Sequence, residues 1–438
     1  MKNSLSLKRT LALFAVLLLL CLSFCSCAPA NDGDDDETDE DVNYSGAVLN
    51  VYNWGVYMDD GKGEDGDGSY IDEETSMNVN AAFEQYYKET YGEEIKVQYT
   101  TYENNEAMYA KLSAGGANYD IVVPSDYMIN RMIKEGMLEK LDFSNIPNYE
   151  NIDDQFKDGS WQYDPTGEYS VTYTWGTVGI VYDANVVTEE VNSFDILWDE
   201  KYAGKILMMN NPRDTFAVAL AKNGKSLNSA NADDWEQAYE DLEQQKPLVQ
   251  AYVTDECFEK MQNGEASLAP AYCGDFLIME GDTAEGIDLR FAPLQNQNAN
   301  KFCDAFCIPK GAKNKLAAER YIDFMCTYAP ALANAHYTGY SSPNKLVQHS
   351  DEYYYKEDEL VYPSEQLLDR YEEFRWLPDD IQSLMDERWN DLKKVEIGKG
   401  PYIAIAVVAV LLILFFVLRR VKTARTQKLF EEFEQSKN

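Results

Sequence analysis

Histidine is scarce in this chain, and the motifs of the common enzyme classes are missing. The 438 residues include only His336 and His349, and no HExxH, GxSxG, GxxxxGK[ST] or CxxC pattern occurs. The sequence therefore lacks the usual zinc, acyl-transfer, phosphate-binding and dithiol machinery. Glycosidase activity based on two carboxylates remains an open alternative, because acidic residues are numerous and a sequence does not give the distances between them.

Basic residues are also few relative to acidic ones. Lysine and arginine number 38 against 76 aspartates and glutamates, which gives a formal charge of −38. The run 32–41 holds eight of the acids, so the rest of the chain still carries −38 + 8 = −30. This excess argues against nucleic acid and favours cationic partners. A solvated acidic surface is the alternative explanation.

The N-terminal residues have the pattern of an export signal. Lys2, Lys8 and Arg9 precede an apolar run at 11–22, as in a secretory signal segment. Ser26 and Cys27 come next and are similar to a bacterial lipoprotein cleavage site. We predict a signal segment at 1–27 with Cys27 as the candidate for lipidation, and a disordered acidic tether at 28–46.

A second hydrophobic segment lies near the other end. The sequence from Tyr402 to Leu418 is an uninterrupted run of apolar residues, and Arg419 and Arg420 come directly after it. This length is sufficient to span a bilayer, and the basic flank favours a cytoplasmic location for the C-terminal residues beyond it. The pattern predicts one transmembrane helix at 401–418 and a cytoplasmic tail at 419–438, with the preceding body outside the cytoplasm.

Cysteines beyond the signal are five in number: Cys257, Cys273, Cys303, Cys307 and Cys326. An odd count in an exported protein leaves at least one free thiol. Cys303 and Cys307 lie four apart on a predicted strand, whose rise puts them too far apart for a disulfide. We expect these cysteines to act as small buried hydrophobic residues.

The segment 99–142 alternates strand-like and helix-like patterns. A strand precedes a helix after Asn104, a short apolar strand begins at Ile121, and a second helix comes after it. This βαβα order is typical of a parallel sheet, whose ligands bind beyond the carboxyl ends of the strands. That edge is predicted to include Ser125, Asp126 and Tyr127. The alternative is that Ser125 or Asp126 only caps the second helix.

The second half of the chain repeats this pattern, which predicts an α/β fold of two lobes. Asn211, Pro212 and Asp214 have the spacing of an N-cap, a proline at the first helical position and an acid at the third. That spacing explains Asp214 structurally, and a role in ligand binding is the alternative. Asp275 follows an apolar run and could bind a ligand or cap a helix.

Asp304 lies on a predicted strand and shares one face with Phe302 and Phe306, by the period of two. A buried carboxylate without a partner is costly, so Asp304 must have a partner or a raised pKa. The partner could be an arginine, a backbone amide or a ligand ammonium.

Near the first strand, Trp54 and Tyr57 are predicted at a carboxyl end, within a turn. The adjoining loop Asp59–Glu74 resembles a calcium loop, but its glycine falls one place out of the pattern. A solvated acidic insertion is the other interpretation.

Six segments, taken in order, resemble the spermidine/putrescine-binding proteins of ABC importers. They are LNVYNWGVY at 49–57, the segment 99–142, YTWGTVGIVYD at 173–183, LWDEKYAGKILMMNNPRDTF at 197–216, AFCIPKGAKNK at 305–315 and GYSSPN at 339–344. The resemblance implies a two-lobed, type II periplasmic-binding-protein-like fold that closes on a polyamine and docks on an ABC permease. It implies a monomeric receptor without a cofactor or catalytic role. A membrane-anchored polyamine sensor is the alternative.

The resemblance also implies lobe boundaries and ligand residues. Lobe 1 would comprise 47–174 and 304–348, and lobe 2 would comprise 175–303 and 349–398. The implied ligand residues are the aromatic wall Trp54 and Tyr57, the hydroxyls of Ser125 and Tyr127, the acids Asp214, Asp275 and Asp304, Tyr272 in place of a tryptophan, and Tyr340.

Three positions depart from the pattern of spermidine binders. Asn211 stands where an aspartate is usual, Val56 replaces an acid, and Phe302 replaces a tryptophan. Loss of acids at one end of the cleft favours a shorter diamine such as putrescine. Putrescine and spermidine both remain candidate ligands.

Overall fold

The structure is a computed structural model that describes residues 46–61, 75–116, 118–157, 162–281, 283–394, 412–416, 418–420 and 422–426. The predicted signal segment with Cys27 and nearly all of the acidic tether lie outside these residues. So do most of the calcium-like loop, residues 62–74, much of the predicted membrane span and most of the tail.

Within the described residues, none of the helices has the length and apolar character needed to cross a bilayer. The residues of the predicted span that are described, 412–416 and 418, are helical. Residues 401–411 and 417 lie outside the described part.

Nine strands form the central sheet of the described chain. They are β1 Ala47–Trp54, β2 Ile95–Tyr102, β3 Ile121–Val122, β4 Ser170–Asp183, β5 Ile206–Met209, β6 Val249–Val253, β7 Leu268–Tyr272, β8 Leu289–Ala292 and β9 Lys301–Cys307. The order is β2-β1-β3-β9-β4-β7-β5-β6, and β8 also pairs with β4. Each half of the sheet is packed with helices, so the fold is a two-lobed α/β fold.

The long strand β4 connects the two halves of the sheet. Its first part, Ser170 to Thr177, pairs with β9, and its second part, Val178 to Asp183, pairs with β7 and β8. The register shifts between Thr172 and Thr174, as at a β-bulge, where a strand bends and twists more strongly. One continuous strand therefore belongs to both lobes.

Twelve helices surround the sheet in the described residues that precede the predicted span. They are α1 Val79–Tyr91, α2 Asn105–Ser113, α3 Asp126–Lys134, α4 Pro212–Lys222, α5 Ala232–Gln245, α6 Glu256–Gln262, α7 Cys273–Gly281, α8 Lys315–Met325, α9 Tyr328–Thr338, α10 Lys345–Gln348, α11 Glu365–Leu368 and α12 Asp379–Lys393. Short 3-10 turns join several of them.

Helix α3 shows how the sequence pattern sets the packing. Met128, Ile129 and Met132 are buried on one face, which is a consequence of their spacing on a helix. Gly136 comes after the helix with φ of 68°, the left-handed conformation that glycine adopts without steric cost. The predicted position of this helix and its glycine is confirmed.

The sheet is mixed, whereas the sequence predicted a parallel sheet. Strands β1, β2 and β3 are parallel to one another, and so are β5, β6 and β7. Strands β4 and β9, however, run antiparallel to their neighbours. The βαβ pattern was correct inside each lobe, but these two strands connect the lobes and are not part of such units.

All five cysteines beyond the signal are buried and free. Cys303 and Cys307 both lie on β9 and are not bridged. Their expected behaviour as small buried hydrophobic residues is confirmed.

Candidate ligand-binding cleft

A cavity of about 120 Å³ lies where the two halves of the sheet meet. Its lining includes every ligand residue implied by the sequence, namely Trp54, Tyr57, Ser125, Tyr127, Asp214, Tyr272, Asp275, Asp304 and Tyr340. The structure therefore brings together residues that are up to 286 positions apart in the sequence (340 − 54). Whether they bind a ligand remains a prediction.

Asp304 is only 4% exposed, and its carboxylate has a hydroxyl partner. Tyr57 Oη donates a short hydrogen bond to Asp304 Oδ2, while Oδ1 has no hydrogen-bond partner among the described residues. Burial raises the pKa of Asp304 to about 6, although the hydroxyls of Ser125 and Tyr57 oppose that shift. The sequence left its partner open between an arginine, an amide and a ligand, and the structure supplies a tyrosine hydroxyl.

Asp275 lies in the first turn of α7, so it is not the N-cap of that helix. Tyr340 Oη donates a short hydrogen bond to Asp275 Oδ1. Burial raises the pKa of Asp275 to about 7, and the negative charge of Asp255 adds to the increase. Its carboxyl group lines the cavity.

Asp214 takes part in the N-cap of α4 through its backbone and lines the cavity through its carboxylate. Its backbone N–H donates to Asn211 Oδ1 at 2.7 Å, which confirms the predicted N-cap. Its carboxylate accepts a hydrogen bond from Tyr272 Oη at 2.9 Å and lines the cavity. Burial raises the pKa of this carboxyl. The capping explanation and the cavity position are therefore compatible.

Ser125 occupies the N-cap position of α3 without capping it through its side chain. Its Oγ accepts a hydrogen bond from Asn105 Nδ2 at 3.0 Å. Tyr127 Oη donates to Glu106 Oε1 at 2.9 Å. The alternative that Ser125 caps the helix is therefore wrong, and its hydroxyl belongs to a polar network at the cavity wall.

A chain of aromatic rings forms one wall of the cavity. Successive ring centroids are 6.4 Å apart for Trp54 and Tyr57, 5.6 Å for Tyr57 and Tyr340, 5.6 Å for Tyr340 and Phe302, and 5.2 Å for Phe302 and Tyr272. Trp54 Nε1 donates to the carbonyl of Val123 at 3.0 Å, which fixes its ring. Such a wall can bury a methylene chain and attract a cation to its ring faces.

The cavity is acidic, and the described residues that line it include no lysine, arginine or histidine. Its carboxyl groups belong to Glu103, Glu106, Asp126, Asp214, Asp255, Asp275 and Asp304. Several carboxylates at close range repel one another, and a cation is the partner that relieves the repulsion. The arrangement suits a ligand with more than one positive charge.

Three of these acids were not identified as ligand candidates from the sequence. Glu103 and Glu106 come after the carboxyl end of β2, and Asp255 comes after the carboxyl end of β6. The rule that ligands bind beyond strand ends could have found all three. Asp126 was predicted at the ligand-binding edge, with capping of the helix as the alternative.

The chain also matches known proteins. Residues 81–362 match the model of a family described as bacterial extracellular solute-binding protein. The chain belongs to this family. Its members are solute-binding proteins and not an enzyme class.

Individual relatives show what members of the family bind. The chain is 32% identical over 356 residues to the spermidine/putrescine-binding periplasmic protein of Salmonella typhimurium, which covers 79% of this chain and 91% of that protein. It is 26% identical to the putrescine-binding periplasmic protein of Escherichia coli, over 72% of this chain and 83% of that protein.

A solved structure supports the same fold. The spermidine/putrescine ABC transporter substrate-binding protein of Streptococcus pneumoniae is 32% identical and superposes with a TM-score of 0.61. The match covers 79% of this chain and 98% of that protein. That structure is of a complex with calcium and HEPES.

Proposed function

We propose that this protein binds a linear polyamine, putrescine or spermidine, in the cleft between its lobes and delivers it to an ABC permease. The ammonium groups would pair with Asp214, Asp275 and Asp304. The methylene groups would lie against the aromatic wall. Trp54, Tyr57, Ser125, Tyr127, Tyr272 and Tyr340 would complete the site.

The main observation that supports a polyamine ligand is the negative charge of the cavity lining. Seven carboxyl groups line the cavity, and the described lining residues offer no basic side chain to neutralise them. A neutral sugar or an anionic solute would leave this repulsion in place. A polyamine would supply one positive charge for each carboxylate that it contacts.

The test is a thermal-shift panel on the full-length chain with ligands of similar length and different charge. Putrescine and spermidine are the cationic members, butanediol is neutral, and succinate is anionic. A ligand that binds only the folded state adds about 2.7 kcal/mol of stability at a concentration of 100 Kd. We expect the two polyamines alone to raise the Tm by several degrees.

Delivery to a permease requires a separate experiment. Cells that depend on external putrescine for growth should take up labelled putrescine when they express this protein together with its permease. Uptake should fall to background when Asp304→Asn replaces the normal chain. Uptake that persists with this variant would contradict the proposal that the protein delivers putrescine to the permease.

We extend the proposal to the attachment of the protein. Cys27 would carry a lipid, and 401–418 would anchor the chain with 419–438 in the cytoplasm. Labelling with a fatty-acid analogue tests the first point, since Cys27→Ser should abolish the label. Protease added to intact spheroplasts tests the second, because a cytoplasmic tail would be protected.

A further inference from the structure

The turn between Trp54 and Tyr57 contains a strained residue. Val56 has φ of 43°, and it is the single non-glycine residue with a positive φ in the part of the chain that the structure describes. A β-branched side chain crowds the backbone in this left-handed region, so the conformation persists only where surrounding contacts enforce it. Val56 is half-buried and lines the cavity. The strain therefore lies inside the proposed ligand site.

Hydrogen bonds on both sides of this residue hold the turn. Before it, Trp54 Nε1 donates to the carbonyl of Val123 at 3.0 Å. After it, the carbonyl of Tyr57 accepts a hydrogen bond from Tyr173 Oη at 2.6 Å, and Tyr57 Oη donates to Asp304. Both ends of the turn are thus fixed by the half of the sheet that contains β1, β3 and β9. The two residues between these ends must change the direction of the chain.

The other half of the sheet contacts the same turn. Gly55 lies against Asp255, which follows β6, because a Cβ on Gly55 would be only 2.9 Å from Asp255 Oδ2. The ring of Tyr57 packs against that of Tyr340 at a centroid distance of 5.6 Å, and Tyr340 Oη donates to Asp275 on α7. These contacts, unlike the hydrogen bonds above, depend on how the lobes meet.

We propose that Val56 is a positioning residue whose strain opposes closure of the cleft and thereby sets the rate of ligand release. In the closed cleft, contacts from both lobes keep the turn in its left-handed conformation, with Tyr57 on Asp304. When the lobes separate, the turn loses its contact with Asp255, and Val56 relaxes. The strain is then a free-energy cost of the closed state alone. This inference rests on the proposed function and adds a residue that controls release.

The state in which the strain occurs decides what a variant can change. Strain present in both the open and the closed cleft would lower the stability of the fold and leave ligand binding unaffected, because an equilibrium responds only to a difference between its two states. Strain confined to the closed cleft would weaken binding by its full value. The dissociation rate of the ligand is therefore a readout that a purely structural role of Val56 would not change.

Val56→Gly is the variant that relieves the strain, because glycine adopts a positive φ without steric cost. Stopped-flow measurement on the full-length chain should show putrescine dissociating at least about fivefold more slowly, the factor that corresponds to about 1 kcal/mol of strain. Calorimetry should show affinity increasing by a similar factor. The direction of the effect is informative, since loss of a cavity-lining side chain or a more flexible turn would weaken binding.

Two control variants separate the backbone strain from the loss of the side chain. Val56→Ala removes the methyl groups but keeps the Cβ that crowds the backbone at positive φ, so it should slow dissociation by less than about twofold. Val186→Gly makes the same change as Val56→Gly at a turn residue that is 48% exposed and does not have a positive φ. It should leave the dissociation rate unchanged.

Two results would overturn the proposal. Dissociation from Val56→Gly that is unchanged or faster would show that the strain does not oppose closure, even if the variant has a higher Tm. Equal slowing by Val56→Gly and Val56→Ala would assign the effect to the lost side chain. Failure of the proposed function would appear differently, as no binding of putrescine or spermidine by the unmodified chain, and it would overturn this inference as well.

Discussion

Tyrosine hydroxyls set the chemistry of the cleft at the scale of single residues. Each of four phenols donates to one cavity carboxylate, in the pairs Tyr57 with Asp304, Tyr340 with Asp275, Tyr272 with Asp214 and Tyr127 with Glu106. A phenol stabilises a carboxylate without neutralising its charge. The acids are therefore positioned by the protein while their negative charge stays available to a cationic ligand.

Replacement of Asp304 tests this arrangement. Asp304→Asn should lower polyamine affinity by about 2–5 kcal/mol, the range for truncating one partner of a buried charge pair. Calorimetric titration measures the loss, and Asp233→Asn, on the exposed surface of α5, is the control with the same chemical change. An unchanged affinity would show that Asp304 does not contact the ligand.

The pH dependence of stability tests the environment of Asp275. Burial raises its pKa from 3.8 to about 7, so between these values the folded protein holds a proton that the unfolded chain has lost. The contribution of Asp275 to the free energy of unfolding is complete below about pH 4. It is lost as the pH rises through about 7. We expect the unliganded protein to lose on the order of 1–3 kcal/mol between about pH 4 and about pH 7.5 from this group.

Asp275→Asn should remove this part of the pH dependence, because an amide does not ionise. Urea titrations of the variant and the unmodified protein at several pH values provide the comparison. Identical pH profiles for the two proteins would contradict a raised pKa at Asp275. Putrescine should reverse the trend in the unmodified protein, since an ammonium stabilises the ionised carboxylate.

At the scale of secondary structure, the close approach of α7 to the segment after α9 positions Tyr340. A Cβ on Gly274 would lie 2.4 Å from Tyr340 Cδ1 and 2.7 Å from the carbonyl oxygen of Thr338. Neither distance is possible without a shift of the ring or the backbone. The glycine is therefore required for the contact that brings Tyr340 to Asp275.

Gly274→Ala should lower the free energy of unfolding by about 1–3 kcal/mol, the usual cost of overpacking. It should also weaken polyamine binding, because the phenol of Tyr340 would move away from Asp275. Urea titration and calorimetry measure the two effects. A stable variant with normal affinity would show that the helix has room to adjust.

The sequence predicted local elements better than their pairing. Strand β2 and helices α2 and α3 lie where the alternating patterns placed them, because hydrophobic period and cap residues are local signals. The pairing of β3 with β9 joins Val122 to Cys307, and no local pattern encodes such a contact. Glu106 lies just beyond the end of β2, where a local rule could have placed it, but its proximity to Asp214 depends on how the lobes meet.

At the scale of the whole molecule, direct contacts between side chains of the two lobes hold the lobes together. The guanidinium of Arg131, on α3, lies 3.6 Å from the ring centroid of Tyr109 and 4.3 Å from that of Trp376. Asn210 Nδ2 donates to Glu103 at 3.0 Å. Trp376 and Asn210 belong to the second half of the structure, so these contacts favour a closed cleft independently of any ligand.

Trp376→Leu should therefore weaken polyamine binding although the residue does not line the cavity. A cation–π contact contributes about 0.5–2 kcal/mol, so we expect a loss of roughly twofold to thirtyfold that arises mainly from faster dissociation. Stopped-flow measurement of dissociation provides the test. Trp389→Leu, on α12 within the second half, is the matched control, and equal effects of the two variants would contradict a role in closure.

The central claim is that the acidic, aromatic cleft binds a polyamine, and calorimetric titration of the full-length chain with putrescine and spermidine tests it most directly. The account predicts saturable binding of one molecule per chain for at least one of the two ligands. It also predicts progressively weaker binding as the pH falls through about 7 and then about 6, where first Asp275 and then Asp304 become protonated. No binding of either polyamine at millimolar concentration and neutral pH would contradict it.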